Sequence, residues 1–177
     1  MKAKKILVIG NGFISDNFIF QLHTQFDITV YARSVYTEYN NVRYIYDSVE
    51  NINNLDNNFD YIYILFGHSR PDNITPLCDV IYTNVYLVSK IIDFANKNQS
   101  KIFYPATSLC LSESTRTLTN YSYSHSIAVD IIKRTAVNYS ICYIHNVYGN
   151  LTNVYKKNKM VVDKFIECYH NNDTVLL

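Results

Sequence analysis

The architecture of this chain follows from one stretch near its start, Lys5-Ile6-Leu7-Val8-Ile9-Gly10-Asn11-Gly12-Phe13-Ile14-Ser15. Ile6 to Ile9 is an unbroken apolar, β-rich run of the kind buried on both faces of a sheet. Gly10 ends it. Ile14, Phe18, Ile19 and Leu22 then recur at helical spacing. The join is Gly10-Asn11-Gly12. Its first glycine permits a tight bend, and its second lets backbone approach a ligand closely. The helix that follows offers N–H groups and partial positive charge at its start, a natural seat for a pyrophosphate. The pattern is GxGxxG with Ser15 at the third glycine position, where a hydroxymethyl group is tolerable. An ordinary strand-to-helix turn shares this look. Its place between the first strand and first helix favours a dinucleotide held by Gly10, Asn11, Gly12, Phe13 and Ile14.

Outward from this turn, short apolar runs alternate with segments of helical period. Strands are expected at 27–31, 42–46, 60–66, 101–104 and 140–144. Long helical patterns cover 77–96 and 121–137, and a further helix at 159–170 and a last strand at 174–177 are expected. The asparagine-rich stretch 47–58 reads as a short helix and loop, and 112–120 as a polar loop. Strands alternating with helices predict an α/β fold with a doubly wound parallel sheet, the Rossmann fold, and ligands at the carboxyl ends of the strands.

Composition narrows the functions. The chain has 177 residues, 48% of them hydrophobic and 18% charged, which is enough apolar material for a core and excludes intrinsic disorder. Sixteen basic and 15 acidic residues give a net charge of +1, so no global field draws the protein to nucleic acid or to an anionic membrane. No apolar run approaches the roughly 20 residues that span a bilayer. The basic start is followed by an apolar stretch that breaks at Gly10, too short for a secretion signal. Cys78, Cys110, Cys142 and Cys168 form no CxxC pair, so reduced thiols and a cytoplasmic location are expected, with no metal site.

The end of the second strand bears on the choice of cofactor. A carboxylate there favours NAD by bonding the ribose hydroxyls. This chain has Tyr31-Ala32-Arg33-Ser34 instead. Arg33 and Ser34 suit a 2′-phosphate, so NADP is slightly preferred over NAD. The alternative is that Arg33 is a solvated surface residue.

Five segments, the first of them part of the stretch above, carry a resemblance. "ILVIGNGFIS" (6–15) matches a strand and GxxGFIG loop, with Ile9 at that pattern's first glycine. "DYIYILFGHSRP" (60–71) matches a fourth strand and its loop. "TNVYLVSKIIDFANKNQSKIFYPATSLC" (83–110) matches a helix NVxGTxxLLEAA followed by RFVYxSS. "YSYSHSIAVDII" (121–132) matches YGxSKxxxE, and "NVYGN" (146–150) matches NVYGP. In this order they resemble the extended short-chain dehydrogenase/reductase superfamily, of the NAD(P)-dependent nucleotide-sugar epimerase/dehydratase type. The resemblance implies a nucleotide-linked sugar or related carbonyl substrate. It implies Thr107, with Ser108 as the alternative hydroxyl, and Tyr121 as the proton-transfer group. Gly67, Asn84 and His125 would line the cofactor, and Ser108, Asn146 and Tyr148 the substrate. It also implies one NAD(P)-binding domain over 1–177, with 151–177 as the start of a reduced substrate lobe.

One departure matters most. The family's YxxxK lysine is His125 here. A cation near a phenol lowers its pKa from about 10, and a neutral imidazole does little. Three readings stand: a working substitute, a degenerate site in a non-catalytic cofactor-binding sensor or partner subunit, or a chance motif in a tyrosine-rich chain. Finally, helix 77–96 carries a stripe of Leu77, Ile81, Val88, Ile92 and Ala95 and a second of Val80, Leu87 and Phe94. Covering a sheet needs one stripe. The second, with the family resemblance, predicts a homodimer through these helices.

Overall fold

The computed structural model describes residues 3–35, 37–55, 58–68, 75–111, 119–145, 147 and 171. The chain divides into two compact units, Met1–Ile144 and His145–Leu177. The expected helix 159–170, the strand 174–177 and, residue 171 apart, the reduced lobe 151–177 lie outside the described residues. So does most of the loop 112–120.

The first unit holds β1 (Lys5–Ile9), α1 (Phe13–Leu22), β2 (Asp27–Ala32), β3 (Val42–Tyr46) and β4 (Tyr61–Ile64). It continues with α2 (Leu77–Ile81), α3 (Leu87–Lys97), β5 (Lys101–Thr107), α4 (Asn120–Thr135) and β6 (Tyr139–Ile144). A 3-10 turn at Val49–Asn54 fills part of the asparagine-rich stretch. The sheet order is β3-β2-β1-β4-β5-β6, every neighbour parallel. The chain winds outward from β1 to β3, returns, and winds the other way from β4. The order therefore reverses between β1 and β4, and the carboxyl edge of that junction is the Gly10 turn.

β1 is apolar throughout because it feeds two cores. Leu7 and Ile9 join Ile62, Ile64, Val88, Ile91, Ile92 and Ile132 on one face. Ile6 and Val8 join Ile19, Ile28 and Val30 on the other. Gly10 is needed for its conformation and its size. Its φ is +105°, and a Cβ there would lie 2.7 Å from the Leu65 carbonyl oxygen and from Phe66 Cβ.

Two elements differ from expectation. β5 runs on past Tyr104 to Thr107, through Pro105. Pro105 is accommodated because β4 pairs β5 only from Lys101 to Phe103, so the rest of β5 is bonded on the β6 side alone. The helical pattern 77–96 is split by a π turn at Tyr82–Tyr86. Its second stripe is not spare. Val80, Leu87 and Phe94 are buried within the single chain, whereas Leu77 is exposed. The stripe argument for a two-fold contact therefore falls away, because these side chains are already covered.

The crowding at Gly10 can be tested against Gly12, where an added Cβ meets nothing within 4 Å. Gly10→Ala is expected to cost about 2–3 kcal/mol in urea unfolding, while Gly12→Ala stays within about 0.5 kcal/mol of the parent.

Candidate active site

The glycine turn is tied at both ends. Gly10 N–H donates to the Tyr31 carbonyl at 3.0 Å, and Asn11 Nδ2 donates to the Ser34 carbonyl at 3.3 Å. Ser15, at the third glycine position, is fully buried and satisfied by the turn itself. Gly12 N–H donates to Ser15 Oγ at 2.6 Å, and that hydroxyl donates to the Gly12 carbonyl at 2.9 Å. Serine thus replaces glycine by closing a local ring of hydrogen bonds. Gly12 N–H is engaged, so donors for an anion come from the later amides of the first turn. The open space over Gly12 is a cradle that a side chain would fill, which fits a bound pyrophosphate.

Arg33 and Ser34 are exposed beyond the end of β2. Arg33 is close enough to Glu50 to help hold that carboxyl below its usual range. The larger cause is the hydroxyl of Tyr82, which donates to the same carboxylate. Ser48 donates to the other carboxylate oxygen. The sequence reading missed Glu50, since it lies far from Arg33 along the chain.

Gly67 follows β4, and the buried Asn84 belongs to the π turn. A Cβ on Gly67 would sit 2.9 Å from Asn84 Oδ1. That oxygen accepts the His68 N–H at 2.8 Å. Asn84 Nδ2 donates to Ser124 Oγ at 3.0 Å, and Ser124 donates to the Tyr121 carbonyl at 2.7 Å. One amide therefore joins the loop after β4 to the first turn of α4. Thr119 caps that helix, its side chain accepting the Ser122 N–H at 3.2 Å.

Thr107 is the last residue of β5, and Tyr121 lies in the first turn of α4. The Thr107 side chain is near enough to the Tyr121 phenol to pull its pKa downward, while the Thr107 hydroxyl oxygen accepts the Leu109 N–H at 3.3 Å. Thr107 is the hydroxyl nearer in effect to Tyr121, and Ser108 begins the turn beyond it. Burial nevertheless raises the Tyr121 phenol above its ordinary value, and the Cys110 thiol adds to this. Among the described residues no cation offsets the rise. Asn146 and Tyr148 lie outside the described residues.

His125 packs near-perpendicular to Tyr121, ring centroids 4.6 Å apart. It is 7% exposed, and burial pushes its pKa down to about 4. At neutral pH it is uncharged, so it does not replace the positive charge of a lysine. Its Nδ1 lies 2.7 Å from the hydroxyl of Tyr104, a residue of β5 that the sequence reading passed over. The only advance signal for Tyr104 was a phenol at a core position of a strand, which must find a partner.

Gly10–Gly12 and Gly67 lie on the loops after β1 and β4, Thr107 ends β5, and Tyr121 and His125 lie in the first turns of α4, with Asn84 reaching both the loop after β4 and α4 from the π turn. The carboxyl ends of these strands form the edge at which doubly wound sheets bind ligands. A small depression lined by Lys5, Asp27, Thr29, Arg43 and Phe59 involves the opposite, amino ends of β1 and β2.

No protein-family model and no curated protein matches the sequence. Solved structures match the fold. A UDP-N-acetylglucosamine 4-epimerase from Methanobrevibacter ruminantium M1, in complex with UDP-N-acetylmuramic acid, superposes with a TM-score of 0.80 at 16% identity. It is covered over 66% of its length by 100% of this chain. The Bordetella bronchiseptica enzyme WbmG, in complex with NAD, gives 0.77 at 15% identity, with 99% of this chain on 62% of that one. A UDP-glucose 4-epimerase from Thermotoga maritima, with UDP-glucose, gives 0.75 at 18%, with 97% on 64%. The chain therefore has the Rossmann fold of the nucleotide-sugar epimerases and spans under two thirds of the length of these structures.

A buried neutral histidine makes stability depend on acid. The unfolded imidazole takes a proton near pH 6.5 and the folded one only near pH 4. Stability is therefore lost as pH falls through that window. The parent protein is expected to lose about 2–3 kcal/mol more than His125→Asn between pH 7 and pH 4, read from urea midpoints.

Proposed function

We propose that the protein binds NAD(P) at the Gly10–Gly12 turn and acts on a nucleotide-linked sugar or related carbonyl compound as an epimerase, dehydratase or reductase. The observation that carries this reading is the placement of Thr107 at the carboxyl end of β5 beside Tyr121 in the first turn of α4. A hydroxyl beside a half-buried phenol, on the edge that carries the glycine turn, is equipped to hold and protonate a substrate oxygen.

When bound, the nicotinamide supplies the hydride chemistry. The chain's own groups handle the proton. Tyr121 is protonated at neutral pH, so it serves as an acid toward a carbonyl oxygen. Thr107 holds the same oxygen in place. In the reverse direction the phenol must first ionise, and its raised pKa makes that costly near pH 7. Asn84 and Ser124 fix the turn of α4 that carries Tyr121. Among the described residues no cation stands beside Tyr121, which supports the second reading, a cofactor-binding protein without turnover.

With a panel of nucleotide sugars, Tyr121→Phe is expected to lower the rate at least about 100-fold with cofactor affinity retained. Thr107→Val is expected to lower it about tenfold. Oxidation is expected to accelerate about tenfold per pH unit from 7 to 9, following the phenolate fraction. Wild-type turnover that survives Tyr121→Phe contradicts the assignment. Tight cofactor binding with no turnover up to pH 9 selects the second reading.

For the cofactor, Arg33 and Ser34 support NADPH over NADH. Glu50 works against a 2′-phosphate and is partly balanced by Arg33. By titration, Arg33→Ala is expected to weaken NADPH about tenfold or more and to leave NADH within about twofold. Glu50→Gln is expected to strengthen NADPH. Equal effects on both dinucleotides remove the phosphate role.

A further inference from the structure

Tyr104 and His125 form a buried pair that the proton-transfer scheme above does not use. Tyr104 is 3% exposed and His125 7%. They share one hydrogen bond, Tyr104 Oη to His125 Nδ1, at 2.7 Å. Among the described residues it is the hydrogen bond found for each of the two side chains.

The direction of that bond follows from counting donors. If Nδ1–H donated to the phenol oxygen, the phenol proton would be buried without an acceptor, and the Nε2 lone pair would also be left over. If the phenol donates to Nδ1, both of those needs vanish and one buried donor remains, Nε2–H. Burial reinforces this choice. It holds the phenol proton more tightly than usual and makes the imidazole a reluctant base for a second proton. The titratable groups around the pair are Tyr121 on α4 and Cys110 on the turn after β5; both act on Tyr104, and neither is a cation.

We infer that Tyr104 is a positioning residue that locks His125 as its neutral Nε2–H tautomer, leaving that buried N–H as a donor for a hydroxyl of a bound dinucleotide. The ligand half of this inference rests on the cofactor reading above; the lock does not. A lysine at this place would act by charge. This pair acts by direction, and a neutral donor suits a sugar hydroxyl rather than a phosphate. A buried donor without a partner is costly, so the ligand that satisfies it gains accordingly.

The test is imidazole nitrogen NMR on the ¹⁵N-histidine-labelled protein. In the free parent at pH 7, His125 is expected to show a protonated Nε2 and a bare Nδ1, unchanged down to pH 5. Tyr104→Phe, folded by circular dichroism, is expected to give mixed tautomers. A histidine role that is only structural would leave the tautomer unmoved. An Nδ1–H tautomer in the parent, or no change in Tyr104→Phe, overturns the lock. Should that variant fail to fold, the parent's own tautomer still decides. Titration with NADH is then expected to shift the parent Nε2–H signal, and Tyr104→Phe to bind NADH about fivefold more weakly. Binding that leaves the Nε2–H signal in place overturns the donor role. No NADH binding up to millimolar concentration overturns the cofactor reading and the donor role with it, while the tautomer of the free protein reports on the lock independently.

Discussion

Where β1 runs out at Gly10, backbone from three strands meets with no room for a side chain. Gly10 N–H reaches back to Tyr31, Leu65 N–H reaches Ile9, and an added carbon would collide with the Leu65 carbonyl. This close approach is what the reversal of strand order demands. β2 and β4 both flank β1, and both connections leave from the same edge. Everything that makes the edge chemically useful follows from it. The chain must turn sharply there, so α1 begins at once and aims its N-terminus along the edge. The loop after β4 is held close enough for Asn84 to capture it.

Asn84 then does for the second half of the sheet what Gly10 does for the first. A buried side-chain amide has strict needs, since an unbonded donor or acceptor in the interior costs about 1–3 kcal/mol. Asn84 meets them by joining the His68 backbone to Ser124. The helix that carries it opens into a π turn at that point, a place where such irregularities often serve a site. The spacing between the glycine turn and Tyr121 is therefore set by polar bonds that tolerate little slack, not only by apolar packing.

Much of this was legible in the chain itself. The unbroken run Ile6–Ile9 announced a doubly buried strand, and two cores do meet on it. The strands and helices of the first unit fall within a few residues of expectation. What was not legible has a common cause. Pro105 looks like the end of a strand, and only the shortness of β4 explains why β5 continues. Glu50 and Arg33 are distant in sequence and meet only through the sheet order. Tyr104 is an ordinary strand residue until α4 lays His125 against it. Each is a long-range pairing that local pattern does not encode. The neutral state of His125 belongs here too, since the letter H carries no burial.

The π turn also explains why Leu77 does not share the buried face of helix 77–96. A helical wheel drawn for an unbroken helix assumes a constant phase. The π turn holds about one extra residue, and so rotates all that precedes it by about 100° relative to α3. On the unbroken wheel Leu77 sits in the middle of the buried arc defined by Val88, Ile91, Ile92 and Ala95. After the slip it swings out of that arc to the surface, while Val80 turns into it. The dislocation thus removes Leu77 from the first stripe, while Leu87 and Phe94 are buried on α3 itself, beside that arc. The helix surface ends in a stacked pair, Tyr82 and Tyr86, on the outer side of the defect whose inner side holds Asn84.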